Sequence, residues 1–335
     1  MKITRPAANP IVIPGKWDWR RVAVFNPAVI HDKGWFWMFE RACVSLRPLK
    51  CSVGLLRSKD GIHFEHVTDQ PVFTPDELGF PKGTIEDPRV VKFGDTYYMT
   101  FAHRPFNYHC HPTGIQAPEY FPQKGKGKFA SAINNTRSGL AASKDMLHWK
   151  HLGWITPPDV DDRDNVLFPE KIGGRYAMLR RPMTWVGPKY GCTGPAMWIS
   201  YSSDLKKWTT PELIAGPENA WEGGKIGAAA PPLRTKDGWL TLYHGVDENT
   251  VYRVGVMLLD LKNPAKVLAR CPHFIMEPET YCEKVGLIIP NVIFPTGNVI
   301  KDGKLYIYYG CADTCISVAT VPVKQVLSEL AKYRR

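Results

Sequence analysis

One two-stranded pattern recurs five times along the chain, and it limits the fold more than any other feature of the sequence. Each copy has a short apolar strand, a turn that contains glycine, and a second strand rich in aromatic residues, which begins near Trp35, Tyr97, Tyr176, Trp239 and Leu305. The first three copies also end in a Ser-x-Asp-x-x-x-aromatic turn. Small antiparallel sheets that cannot bury both of their faces alone pack radially, as the blades of a propeller.

The sequence therefore predicts an all-β fold, a five-bladed β-propeller with a short C-terminal helix. We place the blades at residues 24–70, 84–155, 163–215, 226–275 and 290–322, within a single propeller domain that spans residues 1–335. The helix follows from the apolar spacing of residues 323–332. Residues 107–135, rich in Pro, Gly and Lys, are predicted to be a loop inserted in the second blade.

Composition excludes several classes of protein. The chain is 44% hydrophobic and 22% charged, as globular proteins are, and no apolar run approaches the ~18 residues of a membrane helix. The start of the sequence lacks the apolar region of a signal peptide, so we expect a cytoplasmic protein. The eight cysteines show no paired metal-ligand spacing, and we expect them to be reduced and buried.

The net charge of +11 makes anions attractive partners. Lysines and arginines are scattered along the chain, so a nucleic-acid partner is not expected. No metal is expected either, because neighbouring residues of the His109-Cys110-His111 stretch would point to opposite faces of a strand. Whether copies of the chain form a homo-oligomer is left open.

Polar side chains fall at equivalent places in the five copies. The start of the first strand in a blade and the end of its antiparallel neighbour meet at one rim of the central channel. Reading these positions predicts one ring: Asn26, Arg41, Glu86, Asp87, His103, Arg104, Arg163, Asp164, Arg180, Arg181, Lys225, His244, Asn291 and Asp313. Ordinary solvated strand ends account for part of this ring, but less well for a cationic sector of Arg163, Arg181, Lys225 and His244 beside an acid from another blade.

Asp87 is the acid that attracts most attention. Pro88 fixes its own φ and biases Asp87 away from helical conformations, which places the carboxylate firmly at a strand entrance. Such a residue can brace a turn or do chemistry. A cationic pocket beside an acid suits attack of phosphate on a glycosidic carbon, because the bases hold the dianion and the acid protonates the leaving oxygen.

Two other functions stay open on the residues alone. An inverting hydrolase needs a second carboxylate to activate water, and Asp164 is the candidate for that base. A sugar-binding propeller without catalysis needs stacking aromatics and hydrogen bonds, but no positioned acid.

Six motifs together resemble glycoside hydrolase family 130, the five-bladed family of β-mannoside phosphorylases that also contains some β-mannosidases. They are Ile85-Glu86-Asp87-Pro88-Arg89, Leu167-Phe168-Pro169-Glu170-Lys171-Ile172, Leu179-Arg180-Arg181-Pro182, Gly223-Gly224-Lys225-Ile226-Gly227, Tyr243-His244-Gly245 and Tyr308-Tyr309-Gly310-Cys311-Ala312-Asp313. The resemblance implies inverting phosphorolysis of a terminal β-mannoside, with release of α-D-mannose 1-phosphate. It implies inorganic phosphate as co-substrate and no cofactor.

The resemblance also implies roles for individual residues. Asp87 is the general acid and acts through a hydroxyl of the bound mannose. Arg163, Arg181, Lys225 and His244 hold phosphate, while Asn26, Arg41, Arg57 and Asp313 orient the mannose, and we add Glu86 and Arg104 from the same ring to the substrate-binding set. Arg180-Arg181 stands where His-Arg is expected, and the insertion at 107–135 is long, so the acceptor sugar and its linkage are left open.

Overall fold

The strands of the computed structural model form five antiparallel sheets. The structure describes residues 1–46, 49–81, 83–104 and 136–335, so the predicted inserted loop at 107–135, with its His109-Cys110-His111 stretch, lies outside the described residues. The first two sheets contain β1 (Ala23–Asp32), β2 (Trp35–Leu46), β3 (Leu49–Ser58) and β4 (Glu65–His66), then β5 (Thr84–Phe93), β6 (Thr96–Arg104), β7 (Arg137–Ser143) and β8 (Lys150–Trp154).

The remaining three sheets follow in chain order. They contain β9 (Asp162–Leu167), β10 (Tyr176–Pro182), β11 (Met197–Ser202) and β12 (Glu212–Ala215), then β13 (Lys225–Ala228), β14 (Leu233–Arg234), β15 (Trp239–Val246), β16 (Tyr252–Leu259) and β17 (Val267–Arg270), then β18 (Ile293–Lys301), β19 (Lys304–Cys311) and β20 (Cys315–Pro322). The two α-helices in the described part of the chain are α1 (Tyr281–Lys284) and α2 (Val323–Ala331). None of its helices is long and apolar enough to cross a membrane.

The first strands of the sheets surround a common centre. Strand β1 contacts β5 and β18, β5 contacts β9, and β9 contacts β13. This is the arrangement of a five-bladed propeller, and the predicted fold class, with its short C-terminal helix, is confirmed.

Hydrophobic clusters fill the interfaces between neighbouring sheets. Phe39 and Met99 belong to the cluster between the first and second sheets, and Leu167 packs with Val91 between the second and third. Further clusters lie between the third and fourth, the fourth and fifth, and the fifth and first sheets. Each sheet therefore buries both of its faces against its two neighbours, which an isolated sheet could not do.

The repeated Ser-x-Asp turn has a structural role. In the first copy, Asp60 Oδ1 accepts hydrogen bonds from the backbone N–H groups of Ile62 and His63, both at 2.8 Å, and from Ser58 Oγ at 2.9 Å. Asp145 and Asp204 make the same contacts in the second and third sheets. The motif recurs because each of these turns needs an acceptor for its exposed N–H groups.

Residues near the start of the sequence complete the last sheet. Thr4 pairs with Thr320 and Val12 with Ile316, both antiparallel to β20. Between them, the Asn9 side chain donates to Val318 O at 2.8 Å and accepts from Val318 N at 3.0 Å, as a strand backbone would. The fifth sheet is thus built from both ends of the described chain, and this pairing closes the ring.

Candidate active site

A cavity of about 270 Å³ lies at the centre of the ring of sheets. Ten of the eleven site residues predicted from the sequence line it, and they come from all five sheets or the turns beside them: Asn26, Arg41, Glu86, Asp87, Arg104, Arg163, Arg181, Lys225, His244 and Asp313. Asp164, the candidate base, also lines the cavity. The expectation that these strand ends meet at one rim of the channel therefore predicted correctly that most of these residues lie together.

Irregular backbone at the first strands aims three of these side chains. Asn26, Asp87 and Asp164 have positive φ values of 46°, 49° and 51°. The strand register shifts at Asn26 and at Asp87, as in a β-bulge. Asparagine and aspartate tolerate positive φ better than other non-glycine residues, so the same residue types serve the bulge and the cavity.

The Asp87 carboxylate is held by two donors. Asn26 Nδ2 donates to Asp87 Oδ1 at 2.7 Å and Arg41 Nη1 donates to the same oxygen at 2.8 Å. No described residue is hydrogen-bonded to the other oxygen, Oδ2. Glu86 lies beside this group, 3.6 Å from Arg41 Nη2 and 3.9 Å from Arg104 Nε. One oxygen of Asp87 is therefore fixed while the other is left for a ligand.

Asp164 is the hub of a buried charge cluster. Its carboxylate accepts hydrogen bonds from Arg181 Nε at 2.5 Å and Arg89 Nη2 at 3.3 Å, and His244 Nε2 lies 3.5 Å away. Burial alone would raise the pKa of Asp164, but the charges of Arg181 and Arg89 and the hydrogen bond from Arg181 outweigh burial and hold this pKa well below its ordinary value. Asp164 is thus committed to the anionic form by its partners.

The charge of Lys225 is compensated only in part. Its ammonium lies 5.1 Å from the centre of the Tyr252 ring, and within the described ranges it forms no ion pair. Burial and the positive charges of Arg181 and Arg163 lower the pKa of Lys225 to about 7, although the carboxylates of Asp164 and Asp313 oppose this shift. Arg163 itself grips Asp161 with two hydrogen bonds, of 2.7 and 2.9 Å. The cavity therefore holds clustered positive charge that an anion would stabilise.

His244 differs from its three cationic neighbours. It is fully buried between the rings of Tyr252 and Phe294, with centroids 6.0 and 4.6 Å away. Burial lowers the pKa of His244 well below its ordinary value, and neither ring nitrogen has a hydrogen-bond partner among the described residues. The predicted cationic sector thus consists of three cations and a neutral imidazole that can donate one hydrogen bond.

Asp313 lines the cavity from the fifth sheet. It lies in the turn between β19 and β20, where Ala312 and Asp313 have φ values of 42° and 50°. Burial, opposed by Arg41 and reinforced by Asp87 and Glu86, raises the pKa of Asp313 to about 7. This carboxyl can accept or donate a hydrogen bond near neutral pH, as a sugar hydroxyl requires.

Arg57 does not line the cavity, although it was predicted to bind the substrate there. Its guanidinium donates to Glu65 at 2.7 Å, lies 4.6 Å from the centre of the Trp35 ring and is 40% exposed, outside the cavity. The cause is register: Arg57 pairs with Trp37, whereas the cavity residue Arg41 pairs with Val53, four positions along the same strand. Arg57 therefore lies farther along the sheet, away from the rim at which the cavity residues meet.

Three residues of the predicted ring also do not line the cavity. His103 is buried with its Nδ1 2.9 Å from Thr84 O, and Arg180 is buried against Asp162, to which its Nε donates at 2.9 Å. Asn291 lies in the turn before β18, where its carbonyl accepts from Tyr252 N at 3.0 Å. Position at a strand end is thus not sufficient to place a side chain in the cavity, because neighbouring residues on one strand face opposite sides of the sheet.

Sequence reasoning missed several residues around the cavity. Tyr252 and Phe294 flank His244, and the loop before β18 contributes Ile288, Ile289 and Val292. Tyr252 opens the third strand of its sheet, so a rule based on the first two strands passes it over. The signal for Arg89 was present, since it directly follows Asp87-Pro88, but its link to Asp164 depends on the packing of two sheets.

These features define a five-bladed propeller whose central cavity sets one positioned carboxylate against a cationic cluster. The chain belongs to glycoside hydrolase family 130: a family model described as beta-1,4-mannooligosaccharide phosphorylase matches residues 7–117 and 128–332. The family predicted from the six motifs is confirmed.

Individual relatives cover nearly the whole chain. A 1,2-beta-oligomannan phosphorylase of Thermoanaerobacter sp. (strain X514) is 38% identical over 333 residues, which is 97% of this chain and 99% of the relative. A beta-1,4-mannooligosaccharide phosphorylase of Ruminococcus albus is 33% identical over 343 residues, 99% of this chain and 91% of the relative. The solved beta-1,2-mannobiose phosphorylase of Listeria innocua, in complex with beta-1,2-mannobiose, superposes with a TM-score of 0.79 at 25% identity and covers 99% of this chain and 100% of its own.

Proposed function

We propose that the chain catalyses the inverting phosphorolysis of terminal β-mannosides and releases α-D-mannose 1-phosphate. The observation that carries this proposal is the clustering of Lys225 with Arg181 and Arg163, whose positive charges the carboxylates of Asp164 and Asp313 offset only in part at Lys225. A neutral sugar gains little from buried like charges, whereas a phosphate dianion neutralises them and accepts their hydrogen bonds. The phosphorylase names of the relatives agree with this reading.

Phosphate lies against Arg163, Arg181, Lys225 and His244 in this proposal. Arg181 is oriented by the hydrogen bonds that its Nε donates to Asp164 and its Nη1 donates to Met183 Sδ, and Nη2 is left for other contacts. Gly227 allows the close packing of this group, because a Cβ there would lie 2.3 Å from Asp164 Oδ2 and 2.5 Å from His244 Cε1. The cluster is thereby organised before the anion arrives.

Asp87 supplies the proton. Its Oδ1 is occupied by Asn26 and Arg41, so the proton is carried on Oδ2 and passes through a hydroxyl of the bound mannose to the bridging oxygen. A phosphate oxygen forms the bond to the anomeric carbon while the bond from that carbon to the bridging oxygen breaks. Asn26, Arg41, Glu86, Arg104 and Asp313 hold the mannose in position.

The hydrolase alternative is weakened by the state of Asp164. A general base must accept a proton from water, and a carboxylate engaged by Arg89 and Arg181 with a pKa far below its ordinary value is a poor base.

For the location of the protein, we propose the cytoplasm. The seven described cysteines support this proposal, because all of them are free.

Dependence on phosphate tests the proposed reaction. The full chain is incubated with β-1,2-mannobiose or β-1,4-mannobiose, in phosphate and in phosphate-free buffer, and α-D-mannose 1-phosphate and free mannose are quantified. We expect the sugar phosphate to form with at least one substrate and turnover to stop without phosphate. Release of mannose at the same rate in both buffers would contradict phosphorolysis and favour the mannosidase. The preferred disaccharide also reveals the linkage.

The charge of Lys225 should make anion binding depend on pH. With a pKa of about 7, the side chain is mostly charged at pH 6 and mostly neutral at pH 8. Inhibition by sulfate, whose charge is constant over this range, should therefore weaken about tenfold between pH 6 and pH 8.

Lys225→Ala should raise the KM for phosphate at least about tenfold, because a charge-assisted contact contributes about 1.5–3 kcal/mol. The same substitution should change the KM for the mannoside far less.

Lys225→Arg is the matched control for this pH effect. Arginine stays charged throughout, so the sulfate profile of this variant should be flatter than that of the wild type. Asp313, with a pKa of about 7, becomes negative over the same range and weakens anion binding in the same direction, so only the difference between the two profiles reports Lys225. Identical profiles in the two proteins would place the titrating group elsewhere.

A further inference from the structure

Three thiols converge behind one wall of the cavity, and the proposed reaction uses none of them. The Sγ atoms of Cys282, Cys311 and Cys315 all lie within 4.8 Å of one another. Cys311 and Cys315 are buried, and Cys282 is half-buried. The cluster is therefore shielded on the side of the core and accessible on the side of Cys282.

Each thiol is held in place by its own element. Cys311 and Cys315 are directly opposite each other in the last pair of β19 and β20 before the turn. Cys282 belongs to α1, and its neighbour Glu283 ties this helix to the sheet, because Arg5 donates to Glu283 at 2.8 Å and Tyr309 Oη donates to it at 2.7 Å. The three sulfur atoms are thus brought together by backbone that is anchored independently of them.

We propose that Cys282, Cys311 and Cys315 form a binding site for one thiophilic metal ion, of the class of zinc or copper(I). Thiolates are the ligands that select these soft ions. A zinc–sulfur bond of about 2.3 Å places thiolate sulfurs about 3.8 Å apart, so the cluster closes by about 1 Å at most. Water on the exposed side of Cys282 completes the coordination shell, and the thiols release their protons when the ion binds.

The site is coupled to the active-site cavity through the backbone. Asp313 lies between the two cysteines of the turn, and Leu287 N donates to Thr314 Oγ1 at 2.7 Å, which joins the loop after α1 to this turn. The contact is close: a Cβ on Gly286 would lie 2.0 Å from Ala312 O. A bound ion therefore fixes α1 to the turn and restricts the cavity wall on either side of Asp313.

Metal titration of the reduced, metal-free full chain tests this site. Zinc binding is measured by equilibrium dialysis, and cadmium binding by the absorption of its thiolate bonds. All proteins carry Cys110→Ser, which removes the cysteine outside the described residues. We expect one ion per chain. Cys282→Ser should weaken binding by at least about 10–100-fold, since loss of a group that only orients a ligand already costs that much.

Controls separate the site from general thiol reactivity. Cys192→Ser removes a thiol in the connection between β10 and β11, hydrogen-bonded to Trp185 O at 3.1 Å, and should leave affinity and stoichiometry unchanged. Cys282→Ser and Cys315→Ala should each keep phosphate-dependent turnover in metal-free buffer, which shows that they fold. Cadmium should slow hydrogen exchange in residues 285–292 of the wild type and not of Cys282→Ser. Absence of a bound ion in the wild type, or equal affinity in wild type and Cys282→Ser, would overturn the proposal.

Discussion

Replacing Asp87 by asparagine should lower kcat by about 10²–10⁴-fold, the range that general acid help contributes. Asparagine is nearly the same size and keeps an acceptor for Asn26 and Arg41 at the fixed oxygen position, but it has no proton to give. The measurement is kcat at saturating phosphate with the preferred mannobiose. The KM for phosphate should change little, because Asp87 lies outside the Lys225 cluster.

An activated substrate separates proton transfer from simple damage to the site. An aryl β-mannoside whose phenolate leaves without protonation should be cleaved by Asp87→Asn with a much smaller loss. Glu86→Gln is the neighbouring control, and its loss should not depend on the leaving group. If Asp87→Asn kept wild-type turnover and Glu86→Gln lost it, Glu86 would be the acid.

Removing the carboxylate of Asp164 should destabilise the fold more than any other single change in the cavity. Asp164→Ala leaves the guanidinium groups of Arg89 and Arg181 buried without their shared anion, and breaking a buried ion pair in this way costs about 3–5 kcal/mol. The free energy of unfolding is measured by urea denaturation in phosphate-free buffer. Asp302→Ala is the control: its side chain is 83% exposed and its φ of 51° equals that of Asp164, so it should show only the smaller cost, about 1 kcal/mol, of alanine at a positive φ.

The same variant discriminates the structural role of Asp164 from a catalytic one. A catalytic base of a hydrolase could be removed at little cost to stability while activity was lost. We expect instead a large loss of stability in Asp164→Ala. Sulfate should restore part of this stability, because a bound anion can replace the missing charge. Wild-type stability together with complete inactivity would favour Asp164 as the base.

The number of blades was predictable because its signals are local. A glycine turn followed by an aromatic strand specifies a hairpin within about ten residues, and five hairpins leave few alternatives for burying their faces. The positions of Asn26, Asp87 and Arg181 followed from the same hairpins, since register fixes which strand ends meet.

Residues whose role depends on contacts between sheets were not predictable. Nothing local distinguishes Arg57, paired with Glu65, from Arg41, paired with Asp87. The contact of Arg89 with Asp164 joins two blades across 75 positions of sequence. Cys282 likewise meets Cys311 and Cys315 only after α1 docks on the fifth sheet, so cysteine spacing gave no indication of the cluster.

The strand pairing of residues 4–12 with β20 gives the synthesis of this protein a fixed order of events. These residues are synthesised well before their partners Ile316 and Thr320, and Asn9 precedes its partner Val318 by 309 positions. Until then the nascent chain has an open arc of blades with unpaired strand edges at both sides, a form prone to associate with other chains. The active-site cavity, which needs side chains from both Asn26 and Asp313, becomes complete only when this arc closes.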